Sequence, residues 1–215
     1  MPDAVSNVVN GMLPLPVIDA ERLAAPLREV LRPGAELRDR LGVRRGLPRF
    51  FYEVKSWDVA RDLQVAPNFC LWEFMGVDVR EAPPVRSFPR YVPCAVTALA
   101  AHLAVLRQAV GTYVHIAANG GYRSPAHRLT RHASRHCWGS AVNVYRIGDD
   151  DLDDEDRITR YARIARTALP AAWIRPYGPG DGESDDHLHI DLGYLLLEPT
   201  KLKLIDEPSH ASARI

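Results

Sequence analysis

The stretch Asp185-Asp186-His187-Leu188-His189-Ile190-Asp191-Leu192 decides how this chain is read. From His187 onward, polar and apolar residues alternate. That period of two predicts a β-strand with His187, His189 and Asp191 on one face and Leu188, Ile190 and Leu192 on the other. Two imidazoles pointing the same way suit a metal ion or a paired proton relay. Asp185 and Asp186 place a carboxylate beside them. A zinc hydrolase needs a few imidazole or carboxylate ligands, one open position for water, and a carboxylate that takes the water's proton. This strand offers a ligand and that base. A second histidine cluster, His127, His132 and His136, offers another ligand, His136, from a distant loop.

Working outward, Ala141 to Ile147 also alternates and predicts a second strand. Thr112 to Ala117 is rich in β-formers and predicts a third, followed by a turn at Asn119-Gly120-Gly121. Val96, Leu99, Ala100, Leu103, Leu106 and Val110 form an apolar stripe, which predicts a helix from Pro93 to Val110. Pro93 suits a first helical position and Gly111 a C-terminal cap. Ile18 to Leu31 reads as a helix capped by Asp19 and ended by Pro33-Gly34. Phe50-Phe51-Tyr52 reads as a short strand or packing anchor. Asp149 to Asp156 carries seven acids in eight residues. It lacks the alternating ligands and central glycine of a calcium loop, and reads as the acidic first turn of a helix running to Leu169.

These elements define an α+β chain whose small, mostly antiparallel sheet carries the site on one face, flanked by helices. Residues 1–65 hold too few apolar side chains for their own core and are expected to pack as an extension on a domain of residues 66–195. Residues 196–215 read as a tail.

Composition bounds the function only loosely. The chain has 215 residues, with 27 basic and 27 acidic side chains, and its formal net charge is zero. That argues against a duplex-binding protein and so against a nucleic-acid partner. Lys55, Lys201 and Lys203 are the only lysines; the remaining basic residues are arginines. Genome base composition or a need for planar, bidentate groups would each explain this. Cys70, Cys94 and Cys137 are no disulfide framework, and no pair has Cys-x-x-Cys spacing. A reducing compartment fits best, with one disulfide plus a free thiol left open. Met1-Pro2-Asp3-Ala4 shows no basic segment leading into an apolar one, hence no secretory signal is expected. No run of about 18 apolar residues suggests a membrane span. The expected location is cytoplasmic.

Four ordered motifs carry a family resemblance. They are Asn68-Phe69-Cys70-Leu71-Trp72-Glu73-Phe74, then Gly121-Tyr122-Arg123-Ser124-Pro125, then Ser134-Arg135-His136-x-x-Gly139-x-Ala141-x-Asn143, then Asp186-His187-x-His189. Over roughly residues 66–195 the chain resembles the zinc D-alanyl-D-alanine carboxypeptidases. That group includes the vancomycin-resistance-type carboxypeptidases and some phage endolysins, and shares the hedgehog/DD-peptidase fold. The resemblance implies zinc held by His136, by the residue at position 143 and by His189. It implies Asp186 as the catalytic base and His187 as a group that hydrogen-bonds the tetrahedral intermediate. Arg123 would orient a peptide or small amide substrate such as a cell-wall peptide, a task suited to a planar guanidinium. Ser134 would support the ligand loop, and Trp138 could form a wall for substrate or pack in the core.

The chain departs from the family at Asn143, where the family has an aspartate ligand. An amide oxygen is neutral, so metal affinity should fall. Weak zinc binding, help from another carboxylate such as Asp191, a different metal, and loss of the metal all remain open. The segment from His127 to Arg135 is shorter than the family's loop, with His127 and His132 expected at the rim or surface. Cell-wall peptidases act outside the membrane, so a lysin released without a signal or a cytoplasmic enzyme are both consistent. The alternative function is a repurposed cytoplasmic member, with altered or lost metal, that binds a small molecule or peptide or catalyses another reaction. A purely structural protein would not bring His136, Asp186, His187 and His189 together.

Overall fold

The computed structural model describes residues 13–180 and 182–198. The elements in chain order begin with β1 (Val17–Asp19), α1 (Ala25–Leu31), β2 (Glu36–Arg38), β3 (Arg44–Gly46), β4 (Phe50–Val54) and α2 (Trp57–Asp62). They continue with β5 (Gln64–Ala66), β6 (Phe69–Cys70), β7 (Arg90–Pro93), α3 (Val96–Val110) and β8 (Val114–Ile116). The last are β9 (Ala141–Ile147), β10 (Asp150–Asp151), α4 (Glu155–Ala168), β11 (Trp173–Ile174) and β12 (Leu188–Asp191). Every strand pairing between these elements is antiparallel. The α+β reading therefore holds.

The site sheet is built around β9, which pairs with β8, β10 and β12, while β11 pairs with the far side of β12. The strand at Ala141–Ile147 has the expected bounds, because its alternation is a core-facing and outward-facing pattern. Helix α3 buries Val96, Leu99, Ala100, Leu103 and Leu106, each at most 1% exposed. Each leucine so buried contributes about 1.5–3 kcal/mol. Gly111 ends the helix in the left-handed conformation at φ 67° and donates its N–H to Arg107 O, as the cap reading requires. A second sheet, in the order β1-β4-β7, packs beside the first, and Phe51 meets Tyr122 edge-on with centroids 6.4 Å apart. One cluster of buried side chains runs from Leu13 to Ile190 through both sheets.

Three local expectations change. Ile18 to Leu31 is not one helix. Its start is strand β1, which pairs with β4, then a 3-10 turn at Ala20–Arg22, then α1. Asp19 does cap, but it caps that turn, accepting from Glu21 N. Pro93 closes strand β7 rather than opening α3, which begins at Val96. A strand end tolerates a residue without an N–H. The acidic run splits in two. Asp150 and Asp151 form a hairpin strand against β9, and Asp154 caps α4 by accepting from Arg157 N at 2.8 Å. Glu155 and Asp156 occupy the first helical turn, where the helix dipole favours them.

Candidate functional site

Two adjacent glycines bring the motifs together. A side chain on Gly121 would meet Phe74 O at 2.3 Å, and one on Gly120 would meet Ala117 O at 2.6 Å and Asn143 O at 2.8 Å. Neither contact is possible for any other residue. The close approach lets Tyr122 N donate to Phe74 O, and Asn143 N to Gly120 O. It also leaves Gly121 O free to accept from a side chain. His136 sits on a 3-10 turn, Arg135–Trp138, closed by Gly139 at φ 66°. Its carbonyl accepts from Arg123 N at 3.3 Å. Asn143 and His189 are directly opposed across β9 and β12, so their side chains share one face.

The structure therefore places His136, Asn143 and His189 in one cluster. The two imidazole rings lie 5.2 Å apart at 68°. His136 Nδ1 donates to Gly121 O at 2.9 Å, which leaves Nε2 as its lone-pair atom. His189 Nε2 lies 3.1 Å from the Asp191 carboxylate, and His189 Nδ1 lies 2.8 Å from Asn143 Oδ1. A neutral ring that donates to Asp191 has only a lone pair at Nδ1. That lone pair then faces another acceptor. The conflict is relieved by a cation shared between the two atoms, or by an amide turned so that its NH2 donates.

Burial keeps both rings neutral. It pushes His136 well below the usual histidine range, helped by Arg123 and His189. His189 is pushed down by burial, then by Arg175, His187, Arg123 and Arg135. Asp191 is 1% exposed and its carboxyl is raised by burial, against the pull of Gly193 N–H and Arg135. Asp191 thus lies on the far nitrogen of His189. Asn143 Oδ1 faces the other ring nitrogen, Nδ1.

Asp186 and His187 form a dyad at the edge of this cluster. Asp186 Oδ1 lies 2.5 Å from His187 Nδ1, and the Asp186 side chain is 79% exposed. His187 lies 6.4 Å, ring to ring, from His189. Its Nε2 is buried without a hydrogen bond. If Nδ1–H donates to Asp186, the buried Nε2 of His187 is the ring's lone-pair atom.

Arg123 is 9% exposed, its Nε has no hydrogen bond, and burial pushes its guanidinium down to about 10. Ser134 opens the 3-10 turn, and its carbonyl accepts from Cys137 N. Trp138 has no exposed face for substrate: it is fully buried, donates to Gly46 O, and packs edge-on against Tyr194. His127 is also no rim residue. It is 1% exposed, whereas His132 is exposed as expected. Cys70, Cys94 and Cys137 are free thiols.

Several residues at the site carry no motif. Trp173, on the outer strand β11, is 43% exposed with its ring 5.9 Å from His189. The guanidiniums of Arg135 and Arg175 each lie 5.7 Å from that ring's centre. Glu81, 3% exposed, accepts from Ser124 N, Ser124 Oγ and Ala82 N, and so fixes the backbone next to Arg123. A lone tryptophan and a lone glutamate have no periodic signal, and the register of β11 on β12 was needed to place Trp173. A groove of about 620 Å³ beside α3, lined by Pro67, Arg107 and Tyr113 among others, includes none of the site residues.

Among the described residues, no three His, Cys, Asp or Glu side chains form a metal-holding group; the third donor in the histidine cluster is an amide. No helix among them is long and apolar enough to cross a membrane. Comparison with protein-family models, curated proteins and solved structures finds no match.

Proposed function

We propose that the chain is a metal-dependent amide or peptide hydrolase with a hedgehog/DD-peptidase-like fold, acting on a peptide such as a cell-wall peptide. One observation carries this reading. His136 and His189 each have one ring nitrogen tied, to Gly121 O and to the Asp191 carboxylate, and each keeps a lone pair on the other. Tying the far nitrogen is how proteins orient imidazoles toward a metal. The donor set that fits is His136 Nε2, His189 Nδ1 and Asn143 Oδ1, two nitrogens and an oxygen suited to zinc. When bound, zinc supplies a polarised carbonyl and an acidified water.

The chain's own residues supply the rest. Arg123 orients the substrate through its guanidinium. His187 Nε2 accepts a proton from the attacking water, and Asp186 keeps that nitrogen basic by holding Nδ1–H. The same Nε2–H then donates to the leaving amine. Burial lowers the pKa of His187, against the attraction of Asp186, so the ring is ready as a base near neutral pH.

The test is metal content followed by turnover. His189→Ala should lose the metal. Asp186→Ala should keep the metal and lose most turnover on a panel of small peptides and amides. Loss of metal in both variants would make Asp186 a ligand and overturn its assigned role.

A further inference from the structure

We propose that this centre binds its metal ion together with a carboxylate anion, which supplies the negative charge that Asn143 does not. The proposal rests on the metal-centre reading above. The donor set of His136, His189 and Asn143 carries no charge, so a zinc ion there keeps its full +2. The surroundings are cationic. Arg123 is 9% exposed with an unpaired Nε, and its backbone N–H donates to His136 O at 3.3 Å. The guanidiniums of Arg135 and Arg175 each lie 5.7 Å from the centre of the Trp173 ring, which is itself 5.9 Å from the His189 ring. A dication beside these guanidiniums is repelled by them.

The carboxylates at hand are already committed. Asp191 holds His189 Nε2 and Gly193 N, with Arg135 Nε 3.9 Å away. Glu81 is consumed by Ser124 and Ala82. Asp186 holds His187 and is largely exposed. Arg135 Nε is buried without a hydrogen bond. A carboxylate offers an oxygen for a metal and an oxygen for a guanidinium, the pairing Arg123 and Arg135 favour. Trp173, half-exposed between Arg135 and Arg175, gives the ligand's apolar part a surface. Metal and anion should then tighten each other by one common factor.

The experiment measures zinc affinity by chelator competition on the full chain, at constant ionic strength, with acetate or its neutral counterpart acetamide as probe. Acetate should tighten zinc by about 10-fold or more, and acetamide should not. Asn143→Asp should bind zinc tightly without acetate and retain less than about a threefold acetate effect. Arg135→Gln should keep or improve the anion-free zinc affinity and lose most of the acetate effect. An absent acetate effect in the unaltered chain, or an equal one in Asn143→Asp, overturns the proposal. Absence of zinc binding in the unaltered chain and in Asn143→Asp, with and without acetate, overturns the metal reading itself and this proposal with it.

Discussion

His127 and His136 lie in the same loop, both buried, and differ in what their ring nitrogens meet. His127 Nδ1 accepts from Leu129 N at 3.1 Å, and its Nε2 donates to Asn119 Oδ1 at 3.0 Å. Asn119 Oδ1 also accepts from Asp78 N, so the ring locks two loops together. Both nitrogens are satisfied, and the histidine is a structural bolt. His136 spends Nδ1 on Gly121 O, and its ring lies 5.2 Å from that of His189, whose Nδ1 meets Asn143 Oδ1. Burial alone does not separate the two; the count of matched ring nitrogens does.

The largest expected effect breaks this comparison if it fails. His136→Ala should weaken zinc binding by more than about 100-fold, whereas His127→Ala should leave it within about threefold. Equal losses would mean that both histidines, or neither, serve the metal. Next, Asp191→Asn should weaken zinc by about 10- to 100-fold, because the carboxylate orients His189 from its far nitrogen. An unchanged affinity would remove Asp191 from the site. His127→Ala should lower the stability by about 1–3 kcal/mol in urea unfolding, since it leaves buried partners at Asn119 and Leu129 unmatched.

The smallest effect is a pH dependence of the metal-free protein. His136 and His189 are held neutral when folded and take up protons on unfolding near their ordinary pKa of about 6.5. Their folded values are depressed, so the unfolded chain binds more protons below that pH. Stability is full above about pH 6.5 and falls as pH drops, by up to about 1.4 kcal/mol per pH unit for each histidine. His127 and His187 are also depressed and act in the same sense, while the raised Asp191 acts in the opposite one. Urea midpoints at pH 7.5 and 5.5 should therefore differ less in His136→Gln than in the unaltered chain. An equal difference would show that His136 does not stay neutral.

The sequence made part of this legible. Period-two alternation placed β9, and with it Asn143, because one face of that strand is core and the pattern follows from burial. The apolar stripe from Val96 to Val110 gave α3 for the same reason. Pairing was not legible. That Asn143 opposes His189 depends on the register of β9 on β12, and strand register is set by long-range packing. The strand at Val17–Asp19 was hidden because it exists only through its pairing with β4. Trp138 beside His136 was readable as a substrate wall or as core, and the 3-10 turn that presents His136 decides for the core by directing the indole inward to Gly46 O. Asp186 and His187 were readable as chemical groups, but the 2.5 Å contact between them was not.

The central claim is that Asn143 belongs to a metal centre and not to a metal-free hydrogen-bond network. The most direct test is metal analysis of untagged protein purified at neutral pH, beside Asn143→Asp. The account predicts close to one zinc per chain and tighter retention in the variant. Less than about a tenth of an equivalent, with no gain on Asn143→Asp, would contradict it.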